Sequence, residues 1–156
     1  MKKLFKITTL LLLVTMAFNL IACSSFSRVQ KELEEEGYAL IQNEESDYSE
    51  QAKEDERVAK VYVFTNKGSL SVLELYKTTI VTVIEFRSTK KLVEYYKENN
   101  TLQGIVADIE EDGTAEEVYV QLKKAGLACG NCIIIPIGLD ANDVLNEMKE
   151  LNNYDD

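Results

Sequence analysis

The apolar positions of this chain change their period several times, and each change marks an element. Residues 7–21 form a nearly unbroken apolar run, interrupted only by Thr8, Thr9, Thr15 and Asn19. From 28 to 36 the spacing becomes helical. Val29 and Leu33 share one face, Lys31 and Glu35 stand four apart, and Gly37 is a natural stop. Tyr38-Ala39-Leu40-Ile41 reads as a short strand. Residues 43–57 then hold seven acids and two bases with almost no apolar residue, which predicts a solvated loop or an exposed helix over 49–57.

A β pattern follows. Val61, Tyr62, Val63 and Phe64 are β-branched or aromatic and predict a strand over 58–64. Asn66-Lys67-Gly68 suits a tight hairpin, 69–76 reads as the returning strand, and 80–87 as a third. Helical spacing returns at Leu92, Val93 and Tyr96, after a Ser88 or Thr89 cap and before Asn99-Asn100. Residues 102–109 read as a strand. Thr114-Ala115-Glu116-Glu117 is a capping box, and its helix carries Val118, Leu122 and Ala125 to a stop at Gly126. Residues 133–137 are wholly apolar, as in a buried strand. Asp140 is placed to cap a last helix with Val144, Leu145, Met148 and Leu151 in a stripe.

This order predicts an α+β fold: one small domain, an antiparallel meander plus alternating β/α elements, with helices packed on the sheet. The expected organisation is a leader over 1–22, a tether over 23–27 and a single domain over 28–156. The acidic loop 43–57 falls inside that domain.

The leader carries the clearest signal. Lys2, Lys3 and Lys6 precede the apolar run, and Leu20-Ile21-Ala22-Cys23 closes it. A basic start, an apolar middle and a small-residue end make an export signal. The run is shorter than the roughly 20 apolar residues of a membrane span. Through Leu20, Ile21, Ala22 and Cys23 the segment resembles the signal peptides of bacterial lipoproteins. The resemblance covers the first 25 residues or so, and no family is recognised for the rest. It implies cleavage before Cys23, lipidation of the Cys23 thiol and a lipid anchor in the bacterial cell envelope, on the inner or outer membrane. Two or more acyl chains hold stably where one holds weakly.

Charge then narrows the partners. The part after residue 22 keeps 14 basic residues against 27 acids, a net charge of −13. Such a surface repels nucleic acid and anionic headgroups, so no nucleic-acid partner is expected and the anchor must come from lipid. The expected partners are the membrane, through Cys23, and another envelope protein. The chain has no histidine. That removes Ser-His-Asp and Cys-His catalysis and most zinc chemistry. No motif calls for a cofactor or a metal.

Two cysteines remain, Cys129 and Cys132, in Cys129-Gly130-Asn131-Cys132. Outside the cytoplasm such a pair can oxidise. Thioredoxin-like sites run strand, cysteine pair, helix, so that the helix N-terminus stabilises a thiolate. Here a helix precedes and a strand follows. The pair is therefore read as a structural disulfide or buried thiols, with redox activity as the alternative. Pro136 suggests a strand end, an edge or a bulge. Tyr62, Tyr76, Tyr95 and Tyr96 are read as half-buried core rather than as a ligand pocket. The function expected is a non-enzymatic binding or interaction module on a lipid anchor. The rivals are an envelope thiol-disulfide protein and a small solute-binding lipoprotein.

Overall fold

A computed structural model describes residues 25–41, 54–66, 78–105, 109 and 113–153. In chain order the elements are α1 (Ser25–Glu35), β1 (Ala39–Ile41), β2 (Val58–Thr65), β3 (Ile80–Phe86), α2 (Thr89–Glu98), α3 (Asn100–Ile105), α4 (Ala115–Lys124), β4 (Ala128–Cys129), β5 (Cys132–Ile137) and α5 (Ala141–Asn153). The five strands form one antiparallel sheet in the order β1-β2-β3-β5-β4. The α+β class is therefore the observed one.

The expected meander of 58–64, 69–76 and 80–87 is corrected: the adjacent strands are β1, β2 and β3, and among the described residues no strand lies between β2 and β3 in the sheet. Val58–Thr65 pairs directly with Ile80–Phe86, from Val58 opposite Phe86 to Thr65 opposite Ile80. The expected strand 69–76 and the turn Lys67-Gly68 lie outside the described residues, as do the leader, Cys23 and Tyr76.

Alternation along the strands sends side chains to two separate cores. In β5, Ile133 and Ile135 face one side and Cys132 and Ile134 the other. The first side is covered by α2, α3 and α4 through Leu92, Tyr96, Leu102, Val118 and Leu122. The second is covered by α1 and α5 through Phe26, Val29, Leu33, Val144 and Met148. A strand buried on both faces must be apolar at every position, which explains the unbroken run in β5.

Two helices end in the same way. After α1, Gly37 at φ +84° brings Tyr38 N to Leu33 O at 2.8 Å. After α4, Gly126 at φ +77° brings Leu127 N to Leu122 O at 3.0 Å. Both are Schellman caps closed by a contact between buried apolar residues. The predicted capping box is present: Thr114 accepts from Glu117 N, and Glu117 accepts from Thr114 N.

Other expectations need correction. Residues 102–105 belong to helix α3, not to a strand. Asn99 ends α2 and its Oδ1 accepts from Leu102 N at 3.1 Å, so the cap of one helix starts the next. The first helix begins at Ser25 rather than 28, which shortens the expected tether. Its early start buries Phe26, which stacks on Tyr62 with ring centroids 3.5 Å apart. Finally, a short strand, Ala128–Cys129, precedes the cysteine turn. Residues 54–57 form turns, not helix, with the Asp55 carboxylate bonded to Arg57. Among the described residues no helix is long and apolar enough to cross a membrane.

Candidate functional site

The two ends of the sheet gather different chemistry. At the end where β2 finishes and β3 begins, four segments converge on Thr79. Thr79 N donates to Asn66 Oδ1 at 3.1 Å, and Thr79 Oγ1 donates to Asp140 Oδ2 at 3.2 Å. Asp140 N donates back to Thr79 Oγ1 at 3.0 Å, and Asn66 Nδ2 donates to Asp140 Oδ2 at 2.9 Å. Tyr38 leans on the same threonine. Its phenol titrates above its ordinary range because it is buried and Asp140 lies near, while the hydrogen bond with Thr79 opposes this.

Gly138 makes the convergence possible. Its φ is +137°, and a Cβ there would lie 2.5 Å from Thr78 O and 2.6 Å from Thr79 Cα. The chain can cross the strand ends this closely only without a side chain. The neighbours of Gly138 point outward: Ile137 is 62% exposed and Leu139 73%.

Beside this network lies an open cleft of ≈ 190 Å³. Glu36, Tyr38, Asn66, Asp140, Asp143 and Glu147 supply its polar wall, and Leu33, Val144 and Met148 its floor. No lysine or arginine is among these lining residues. Glu147 is pushed above the usual carboxylate range by burial, then by the charges of Glu36, Glu150, Glu32 and Asp143. Carboxylates crowded in this way gain from a nearby cation. The residues of this cleft were visible in the sequence only in local roles: Tyr38 as strand, Asn66 as turn, Asp140 as cap. Asn66 and Asp140 are 74 residues apart, and no short-range signal joins them.

The opposite end carries the cysteines. Cys129 and Cys132 are directly opposed across a two-residue turn, Gly130-Asn131, in the β4–β5 hairpin. Gly130 has φ +55°. The turn is held from three directions. Asn131 bonds Phe86 through both its backbone oxygen and its side-chain amide. Tyr119 Oη donates to Gly130 O at 2.9 Å. Ser25 lies over Gly130, where a Cβ would meet Ser25 Oγ at 1.8 Å.

Both cysteines are buried thiols, with 1% and 0% of their surface exposed. They share the core of Phe26, Val29 and Met148. Burial, then the charge of Glu85, then Cys129, pushes the Cys132 thiol far above its ordinary range. A thiolate is therefore disfavoured, and with it attack on a disulfide. Directly opposed residues hold their Cβ atoms about 4.5–5.5 Å apart. A disulfide needs about 3.5–4.5 Å, so oxidation would draw the two strands together. Pro136 lies opposite Val81 in β5, beyond the reach of β4, which pairs only with Cys132 and Ile133. Its missing N–H therefore costs no bond on that open side.

Among the described residues, Tyr62, Tyr95 and Tyr96 do not line a common pocket. Tyr95 and Tyr96 are buried under α2 on one face, and Tyr62 packs on Phe26 on the other. A further cleft of ≈ 270 Å³ has the opposite charge, with Lys123, Lys124 and Lys149 around it. Its inner wall is Asn152, whose Nδ2 donates to Ala128 O at 2.8 Å and to Lys123 O at 3.2 Å, tying α5 to the α4–β4 corner. Among the described residues no group of three or more Cys, Asp or Glu is arranged to hold a metal ion. Comparison of the chain with family models, with curated proteins and with solved structures found no match.

Proposed function

We propose that this protein is a lipid-anchored bacterial envelope lipoprotein that works by binding, not by catalysis. The observation that carries the reading is the junction of leader and fold. Leu20-Ile21-Ala22-Cys23 ends two residues before α1 begins at Ser25, and Phe26 is already core. Cleavage before Cys23 would thus trim the chain at the edge of the domain.

The binding surface that fits best is the cleft end, with the carboxylates of Glu36, Asp140, Asp143 and Glu147 beside exposed Ile137 and Leu139. Its chemistry suits a basic segment of another envelope protein with an apolar residue to cover the rim. The buried, protonated Cys132 argues against the thiol-disulfide alternative. The cleft at this end is smaller than the roughly 300–1,000 Å³ in which most of a small ligand is buried, which favours a surface contact there over solute capture.

The test is intact mass of the membrane-extracted protein. The expected species starts at Cys23 and carries a diacylglyceryl group. Cys23→Ser should accumulate as unprocessed precursor. A mature chain with an unmodified Cys23 would overturn the reading.

A further inference from the structure

We infer that the sheet end bearing the Gly130-Asn131 turn is a bilayer-facing surface, so that the acidic cleft is presented away from the membrane. The inference rests on the anchored reading above and adds an orientation to it.

Chain length supplies the first argument. From Cys23 to Ser25 there are two peptide steps, a reach of at most about 7 Å. Ser25 is not at an arbitrary point of the fold: it sits on Gly130. The sheet end at Gly130 is therefore held within about 7 Å of Cys23, the residue that would carry the lipid. The cleft lies at the other end of the strands, and β3 with its seven residues places it about 20 Å farther off. The helix α1 spans the same distance, from Ser25 at the turn to Glu36 at the cleft.

Charge supplies the second argument. The turn end also holds the start of β2, the end of β3 and the start of α2, because Val58 is opposite Phe86 and Phe86 bonds Asn131. These segments bring Arg57, Arg87, Lys90 and Lys91 to that end together with Asp55, Glu56, Glu94 and Glu98; Arg57 pairs with Asp55 and Glu98, and Lys91 with Glu94. The cleft wall has four carboxylates and no base. In a protein of net charge −13 after the leader, the bases of the turn end offset its acids, so of the two ends it is the one that meets an anionic leaflet with less repulsion. Rigidity is the third. Asn131 and Tyr119 bond the turn to the rest of the fold and Ser25 packs on it, so Ser25 and the turn form one unit with the sheet end.

The chain has no tryptophan, so a single introduced one reports its own position. Lys90→Trp marks the turn end and Leu139→Trp the cleft end; both positions are exposed. Each full-length variant is expressed in bacteria, extracted from membranes and reconstituted into vesicles of phosphatidylcholine and phosphatidylglycerol bearing a headgroup nitroxide. The Lys90→Trp protein should lose most of its emission to the nitroxide, and the Leu139→Trp protein little. Both carry the same indole, so its own affinity for interfaces cancels. Thr89→Trp, also exposed and beside the Ser88 cap rather than at it, repeats the turn-end reading if Lys90→Trp fails to fold. Intact mass is recorded on the same samples. An unmodified Cys23 would remove the anchor and the orientation together. A lipidated protein in which Leu139→Trp is quenched as strongly as Lys90→Trp, or more so, would overturn the orientation and leave the anchor standing.

Discussion

At the turn end of the sheet, hydrogen-bonding groups are used up by the fold itself; at the cleft end many of them face water. Asn131 closes on Phe86, Tyr119 on Gly130, and the two thiols sit under α1 without exposure. At the other end Asp140 serves Asn66 and Thr79, but Glu36, Asp143 and Glu147 add charge that no base in the cleft wall offsets. The two ends thus divide the work. One end holds chain segments together and leaves little for chemistry, although it carries the most reactive residue type. The other accepts repulsion that a purely structural end would avoid. Reactive residue types alone are a poor guide to a site, because burial decides whether they can react.

Backbone crowding gives the largest test of this contrast. Gly138→Ala at the cleft end would press a Cβ into Thr78 and Thr79 backbone at positive φ. We expect a loss of about 3 kcal/mol from strain and overpacking together. Gly130→Ala at the turn end meets only the Ser25 side chain at the start of a helix, and should cost about 1–2 kcal/mol. Urea denaturation of the two variants measures the difference. Equal losses would mean that the ends are equally close-packed.

The thiols sharpen the comparison through pH. The folded pKa of Cys132 is raised above its ordinary value of 9.0, and the cause is burial first. Its contribution is whole below pH 9 and is lost as pH rises, because the unfolded chain then ionises and the folded one does not. Tyr62 acts in the same direction, its phenol pushed up to about 12 by burial and Glu85. Stability should fall by on the order of 1 kcal/mol per pH unit above about 9 through Cys132 alone. Cys132→Ala should flatten this slope while lowering stability at neutral pH. Iodoacetamide should label neither cysteine until denaturant is added. Rapid labelling of native Cys129 near neutral pH would restore the redox alternative.

The smallest effect belongs to the cleft. Glu147 is raised by burial and neighbouring carboxylates, so its protonated form is the one the fold prefers. Its contribution is favourable below the ordinary carboxylate range and is lost as pH rises through its raised value. Glu147→Gln should therefore stabilise the protein at neutral pH by up to about 0.5 kcal/mol. The gain should vanish in acid and shrink in high salt. A loss of stability at pH 7 would show that Glu147 makes a favourable contact, contrary to this account.

What the sequence determined by itself is everything that acts over one or two turns of chain. The capping box at Thr114 and Glu117, the glycine stops at 37 and 126 and the apolar run of β5 all depend on near neighbours, and each stands where expected. Short-range signals also misled where two elements share a spacing. Leu102, Ile105 and Ile109 stand three and four apart, as on a helix, within a run apolar enough to read as a strand, and the Asn99 cap decided for the helix over Asn100–Ile105. Ala128–Cys129 is too short for any period to show. Only the tertiary structure decided which strand lies beside which, and so which residues meet. It set Cys129 against Cys132 under α1, and it brought Tyr38, Asn66, Thr79 and Asp140 to one point. Those meetings depend on the close crossing at Gly138 and on which faces of β3 and β5 are buried. Periodicity reports that a face is apolar but not what covers it, because burial depends on apolar area rather than on the identity of the partner.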